Sequence, residues 1–153
     1  AATGAASAAE YKIGFVNTER LFREAAPAKR AQLKLEKEFA ARDAEIQKLS
    51  KQVRDLQALL EKDGVTMAEA ERRNRERDLA NLSRDLTRSQ REFREDLNLR
   101  RNEEFASVQE RANKVIQQIA EAEKFDLIIQ DPVVYASQKI DITEKVIKAR
   151  ADK

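Results

Sequence analysis

Residues 71–95, ERRNRERDLANLSRDLTRSQREFRE, hold eight arginines in twenty-five positions and neither glycine, proline, cysteine nor histidine. Arginine at that density can grip a nucleic acid, solvate a long helix, or present positive charge to a partner that is neither. Bond-making chemistry has little to work with. The 153-residue chain contains no cysteine, histidine or tryptophan, which removes thiolate nucleophiles, the side chain best suited to proton transfer near neutral pH, and the usual zinc ligands. An enzyme is therefore not expected, and neither is a metal or a cofactor. With 38% charged residues against 5% aromatic ones, the chain is too polar for a large globular core, yet its formal net charge of only +2 argues against a disordered polyelectrolyte. An elongated molecule with locally organised charge fits both facts.

The arginines need a scaffold, and the heptad pattern supplies one. Leu35, Phe39, Ile46, Leu49, Val53, Leu56 and Leu60 fall on a and d positions, with Arg42 as a charged intruder at d. Asp63-Gly64 is a stop signal, and Thr66 with Glu69 has capping-box spacing, so a second helix is expected to start at once. Leu79, Leu82, Leu86 and Phe93 carry a return seam in matching phase; Leu97, Phe105, Val108, Ala112, Val115 and Ile119 continue it after a local slip. The spacing predicts an antiparallel helical hairpin over 28–124 with its tip at 63–68. Its outgoing arm would be roughly 50 Å long.

On that hairpin the f positions, which face away from the seam, are Arg30, Lys37, Lys51, Arg77, Arg84 and Arg91, plus two alanines, and no acid occupies any of them. Residues 29–101 carry nineteen bases against fifteen acids, whereas 102–153 carry eight against ten. The outer face of the hairpin is thus a basic stripe. An ordinary solvated helix face explains such a stripe as well as a partner-binding role does; its single sign is what favours a role. Nucleic acid is a poor fit, because aromatic stacking platforms are missing: Phe39, Phe93 and Phe105 belong to the seam or its continuation.

The two ends have a different texture. Residues 1–10, AATGAASAAE, read either as a mature terminus left by signal-peptide removal or as a linker. YKIGFVN at 11–17 and FDLIIQDPVVYASQKIDI at 125–142 are β-prone, and Asp141 with Glu144 caps a closing helix. The segments 11–27 and 125–153 cannot bury enough surface alone. Their apolar residues, Ile13, Phe15 and Val16, Leu127, Ile128 and Ile129, then Val133, Val134 and Tyr135, are expected to form strands of a small body that self-associates. The fold class is α+β, predominantly α: a long hairpin on a β-rich oligomerisation body made from both chain ends.

YKIGFVNTERLF, RRNEEF at 100–105 and DLIIQDPVVYASQKIDITEKVIK together closely resemble the Skp, or OmpH-type, family of periplasmic chaperones. The resemblance covers Tyr11 to Lys148 and is specific at the ends, where "VN" and "DIT" recur in order. It implies a homotrimer with three helical tentacles enclosing a cavity, and a periplasmic holdase that keeps unfolded outer-membrane proteins from aggregating without ATP. It also implies contact with anionic lipid or lipopolysaccharide, for which Arg100 alone is matched. Within this chain, client contacts would come from apolar residues off the seam: Leu33, Leu59 and Leu99 on the arms, Val65 and Met67 at the tip. An alternative function is a structural coiled-coil adaptor joining two fixed partners without holding clients.

Overall fold

The structure, a computed structural model, describes residues 10–151, with side chains through Ala149. The leader expected at 1–10 therefore lies, apart from Glu10, outside the described residues. In chain order the elements are β1 (Ile13–Val16), α1 (Thr18–Glu24), α2 (Ala26–Asp63), α3 (Glu69–Ala122), β2 (Leu127–Gln130) and α4 (Thr143–Ala151). They fall into two compact units. One joins the N-terminal end through Gln32 to everything from Glu104 onward; the other is Leu33–Glu103. The class is α+β with helix dominant, as the sequence predicts.

The first unit closes the two ends of the chain on each other. β1 and β2 pair in parallel, Ile13 opposite Leu127 through Val16 opposite Gln130. The other edge of β1 meets the segment before α4: the Phe15 amide donates to the Ile140 carbonyl at 2.7 Å, and the Ile142 amide donates to the Phe15 carbonyl at 2.8 Å. β1 is thus central and has no edge left. The segment after β2 differs from the sequence reading: Val133, Val134 and Tyr135 form no strand, and Val134 and Tyr135 are exposed. The core beneath consists of Val16, Leu21, Ala25, Ala112, Ile116 and Val146, with Ile128, Ile142 and Ile147 packed against it. Gly14 is needed for this closeness, since a Cβ there would stand 3.0 Å from the Phe125 ring and 3.3 Å from the Ile142 methyl.

A short helix that the β-prone reading of the N-terminal end does not anticipate, α1, starts where the Asn17 carboxamide oxygen accepts from the Arg20 amide at 2.9 Å. Pro27 then sits in the first turn of α2, where its missing N–H is no loss. α3 ends in a Schellman turn: Lys124 adopts φ 57° and the Phe125 amide donates to the Ala120 carbonyl at 2.9 Å. No glycine marks that ending, so the sequence is silent about it.

In the second unit α2 and α3 lie antiparallel, because the partner number on α3 falls as that on α2 rises: Glu38 bonds Arg100 and Arg42 bonds Asp96. Leu35 and Phe39 are buried, and Ile46 through Leu60 and Leu79 through Leu97 are half-buried along the seam. Two details differ from expectation. Thr66 is not a helix cap; its hydroxyl donates to the Asp63 carbonyl at 3.0 Å, and α3 begins three residues later from Ala68. The tip turn is shaped instead by Gly64, where any Cβ would lie 2.3 Å from the Leu60 carbonyl oxygen. In the first unit, Phe105 is half exposed because the buried row of α3 repeats every four residues, Val108, Ala112, Ile116, and extrapolates to Glu104 instead. Phe105 stacks on Phe22, ring centroids 4.1 Å apart.

The chain ends are locked by one polar junction. Thr143 is fully buried; its Oγ1 accepts from the Asn17 amide at 2.8 Å and donates to Asp141 Oδ1, which also accepts from the Thr143 amide at 2.9 Å. Asp141 therefore precedes α4 as a turn-forming residue, two positions before the first helical residue and not at the cap itself. Thr143→Val keeps the shape but leaves the Asn17 N–H without its acceptor, a loss of about 1–3 kcal/mol. Urea unfolding should report that loss, and unchanged stability would show the junction to be incidental.

Candidate functional site

All six stripe residues, Arg30, Lys37, Lys51, Arg77, Arg84 and Arg91, are solvent-exposed. Four of the eight arginines in 71–95 are tied to acids: Arg72 to Glu76, Arg73 to Glu69, Arg75 to Glu71 and Arg88 to Asp85. The stripe arginines are not. Arg77 and Arg84 donate to the neutral carboxamide oxygens of Asn74 and Asn81, and Arg91 has no ion-pair partner among the described residues. Of the stripe, only Lys51 is neutralised among the described residues, by Asp55 at 2.7 Å. Pairing therefore concentrates uncompensated positive charge on the outward face of α3, where it can act over about a Debye length.

The off-seam apolar residues divide. Leu33, Val65 and Leu99 are exposed, Val65 at 92%, whereas Leu59 and Met67 are half-buried. Val65 and Met67 share the tip turn, whereas Leu33 and Leu99 lie on the arms, so contact through them would be plural.

Several charged features of the second unit escape a reading by periodicity alone. Arg100, 25% exposed at its side chain, is gripped by Glu38 through two hydrogen bonds of 2.9 and 3.1 Å and by Glu103 at 2.6 Å. A guanidinium so occupied is a poor place for a further anion. Arg42, the intruder at d, reaches Asp96 at 2.9 Å and lies within 6 Å of both Phe39 and Phe93, whose rings meet edge to face. The signal was available in part: Asp96 lies one heptad beyond Ser89 and two beyond Leu82, so it too falls at a d position.

In the first unit the residues expected at an oligomer contact also separate. Phe15 and Val16 lie in the chain's own core and Ile128 packs against it, whereas Ile13, Leu127, Ile129, Val134 and Tyr135 are exposed and Val133 is half-buried. β2 has β1 as its one strand partner among the described residues, so its other edge is open. Arg20 joins α1 to α4 by bonding Glu144, and the Glu144 carboxylate, with Glu24 adding to it, holds the guanidinium above the usual arginine range.

The chain was compared with known proteins. A family model described as outer membrane protein (OmpH-like) matches residues 12–149. Chaperone protein Skp of Blochmanniella pennsylvanica is 30% identical over 142 residues, covering 92% of this chain and 86% of that protein. The Skp of Yersinia enterocolitica is 28% identical over 149 residues, covering 97% and 91%. A crystal structure of an OmpH-like protein from Caulobacter crescentus CB15 superimposes with a TM-score of 0.75 over 98% of this chain and 89% of that one, at 17% identity, and so supports the fold. The junction of Asn17 with Asp141 and Thr143 is where the "VN" and "DIT" segments meet in space. The chain belongs to the OmpH-like family, that of the Skp chaperones.

Proposed function

We propose that this chain is an ATP-independent holdase of the periplasm that binds unfolded outer-membrane β-barrel proteins and prevents their aggregation. Family membership across residues 12–149, with curated relatives named as chaperones, is the observation that carries the reading. In it, 11–27 and 125–153 build a homotrimeric body, 28–124 is the tentacle, and three tentacles bound the client cavity. The exposed Ile13, Leu127, Ile129, Val134 and Tyr135 and the open edge of β2 support self-association, because apolar surface and unpaired strand edges are both driven to find partners.

The arms suit capture without an energy source. Free arginines at 77, 84 and 91 attract acidic stretches of a client and raise the encounter rate without adding short-range grip. Scattered apolar groups, Leu33, Val65 and Leu99 with the partly covered Leu59 and Met67, then hold by many weak contacts, so release needs no nucleotide. The same stripe offers anionic lipid or lipopolysaccharide headgroups a surface that the occupied Arg100 does not.

Light scattering of a denatured barrel diluted from urea tests the function directly. Full suppression at stoichiometric amounts without nucleotide is expected, and undiminished aggregation would leave the adaptor as the better reading. Leu127→Asp places a charge on an exposed position, where it costs the isolated chain little, but should abolish self-association as judged by light-scattering mass; an unchanged mass would exclude β2 from the contact. Replacing Arg77, Arg84 and Arg91 with glutamine should slow stopped-flow association with an acidic unfolded barrel at low salt. At about 1 M salt, where the Debye length is about 3 Å, the difference should vanish. Equal rates at low salt would reduce the stripe to solvated helix surface.

A further inference from the structure

One layer of the arm's seam is incompletely filled. The d position of α3 between Leu82 and Asp96 is Ser89, and where it meets Ile46 and Leu49 of α2 an open groove of about 390 Å³ remains. Two acids line it, Glu45 from α2 and Glu92 from α3; both are exposed, and neither has an ion-pair partner among the described residues. The bases there do not cancel them. Arg42 is held by Asp96 at 2.9 Å, which leaves Lys48 as the single free base lining the groove, among the described residues, against two free carboxylates.

An apolar floor with free carboxylates beside it matches a side chain that is apolar along its stem and cationic at its head. Lysine and arginine are built that way and bury their methylenes while the charge stays in water. A phenylalanine would leave the acids unanswered, and an aspartate would be repelled by them. We propose that the Ser89 groove binds lysine or arginine side chains of the unfolded polypeptide held by the arm, the stem lying on Ile46 and Leu49 and the head between Glu45 and Glu92. This rests on the holdase reading and adds a partner chemistry to it. The arm then carries two complementary recognition elements: the outward arginines for acidic stretches of a client, and the groove for its basic side chains. Specificity for a mixed-charge, sparsely apolar chain follows, without tight binding at either element.

The test uses two fluorescent peptides that alternate apolar and neutral polar residues, identical except for a central lysine or acetyl-lysine, titrated with the full chain and followed by anisotropy. At low ionic strength the wild type should bind the lysine peptide about threefold more tightly, the size of an exposed ion pair. E45Q with E92Q should erase that preference while leaving the helices intact, since glutamine is a comparable helix former. Ser89→Leu, which fills the groove, should bring the lysine peptide down to the affinity of the acetylated one. Equal affinities in the wild type, or a preference that survives E45Q with E92Q, would overturn the proposal. A change in self-association of E45Q with E92Q without peptide would assign the groove to a second copy of the chain and overturn it equally. A protein that suppresses barrel aggregation yet shows no lysine preference loses this proposal and keeps the holdase reading; failure in both loses both.

Discussion

The parallel pairing of Ile13–Val16 with Leu127–Gln130 joins positions 114 residues apart, and the unit built from the chain ends depends on that closure. A parallel pair requires a crossover connection, and here the crossover is the entire helical arm. Closing so long a loop carries an entropic cost that grows slowly with length, so an arm of this size is tolerated provided the ends hold. They hold through three reinforcing contacts. β1 is bonded on both edges, the apolar cluster around Val16, Leu21 and Val146 excludes water beneath it, and the buried Thr143 hydroxyl bridges Asn17 to Asp141. The arm itself forms from local helix and from neighbours across a hairpin, and needs little from the ends except an anchor.

Charge is organised along the arm by pairing as much as by composition. Arginine and acid counts in residues 71–95 would suggest a mixed surface, but ion pairs at helical spacing consume Arg72, Arg73, Arg75 and Arg88 and leave Arg94 and the outward-facing Arg77, Arg84 and Arg91 without an ion-pair partner among the described residues. Each exposed pair contributes only about 0.2–1 kcal/mol to stability. Their larger effect is to decide where positive potential remains. Within the seam the setting differs: Arg42 and Asp96 meet across it beside two aromatic rings, with side chains still 42% and 53% exposed.

Much of this was legible in residue order. The 3.5-residue repeat exposes the hairpin, Gly64 marks its tip, and f positions are outward by geometry alone, so residue order suffices to place the stripe. Partner choice was not legible. Val133–Tyr135 and Leu127–Ile129 are equally β-branched and apolar, and the difference lies in which segments reach β1 in the assembled unit, Leu127–Gln130 on one edge and residues 140–142 on the other. Capping signals miss by register: the tight turn at Gly64 gives the Thr66 hydroxyl the Asp63 carbonyl as partner, and Asp141 sits two residues before α4 although its carboxylate still accepts the first helical amide, that of Thr143. The Ser89 groove is invisible in one helix, because a small residue at d becomes a gap only against Ile46 and Leu49 of the other.

The central claim, that the chain ends associate so that the arms can hold an unfolded barrel, is tested most directly by sedimentation equilibrium of the protein alone and with a urea-diluted outer-membrane barrel. The account predicts a trimer alone and a discrete soluble complex of that trimer with one barrel chain, formed without nucleotide. A monomer that sediments unchanged in the presence of the barrel would contradict it.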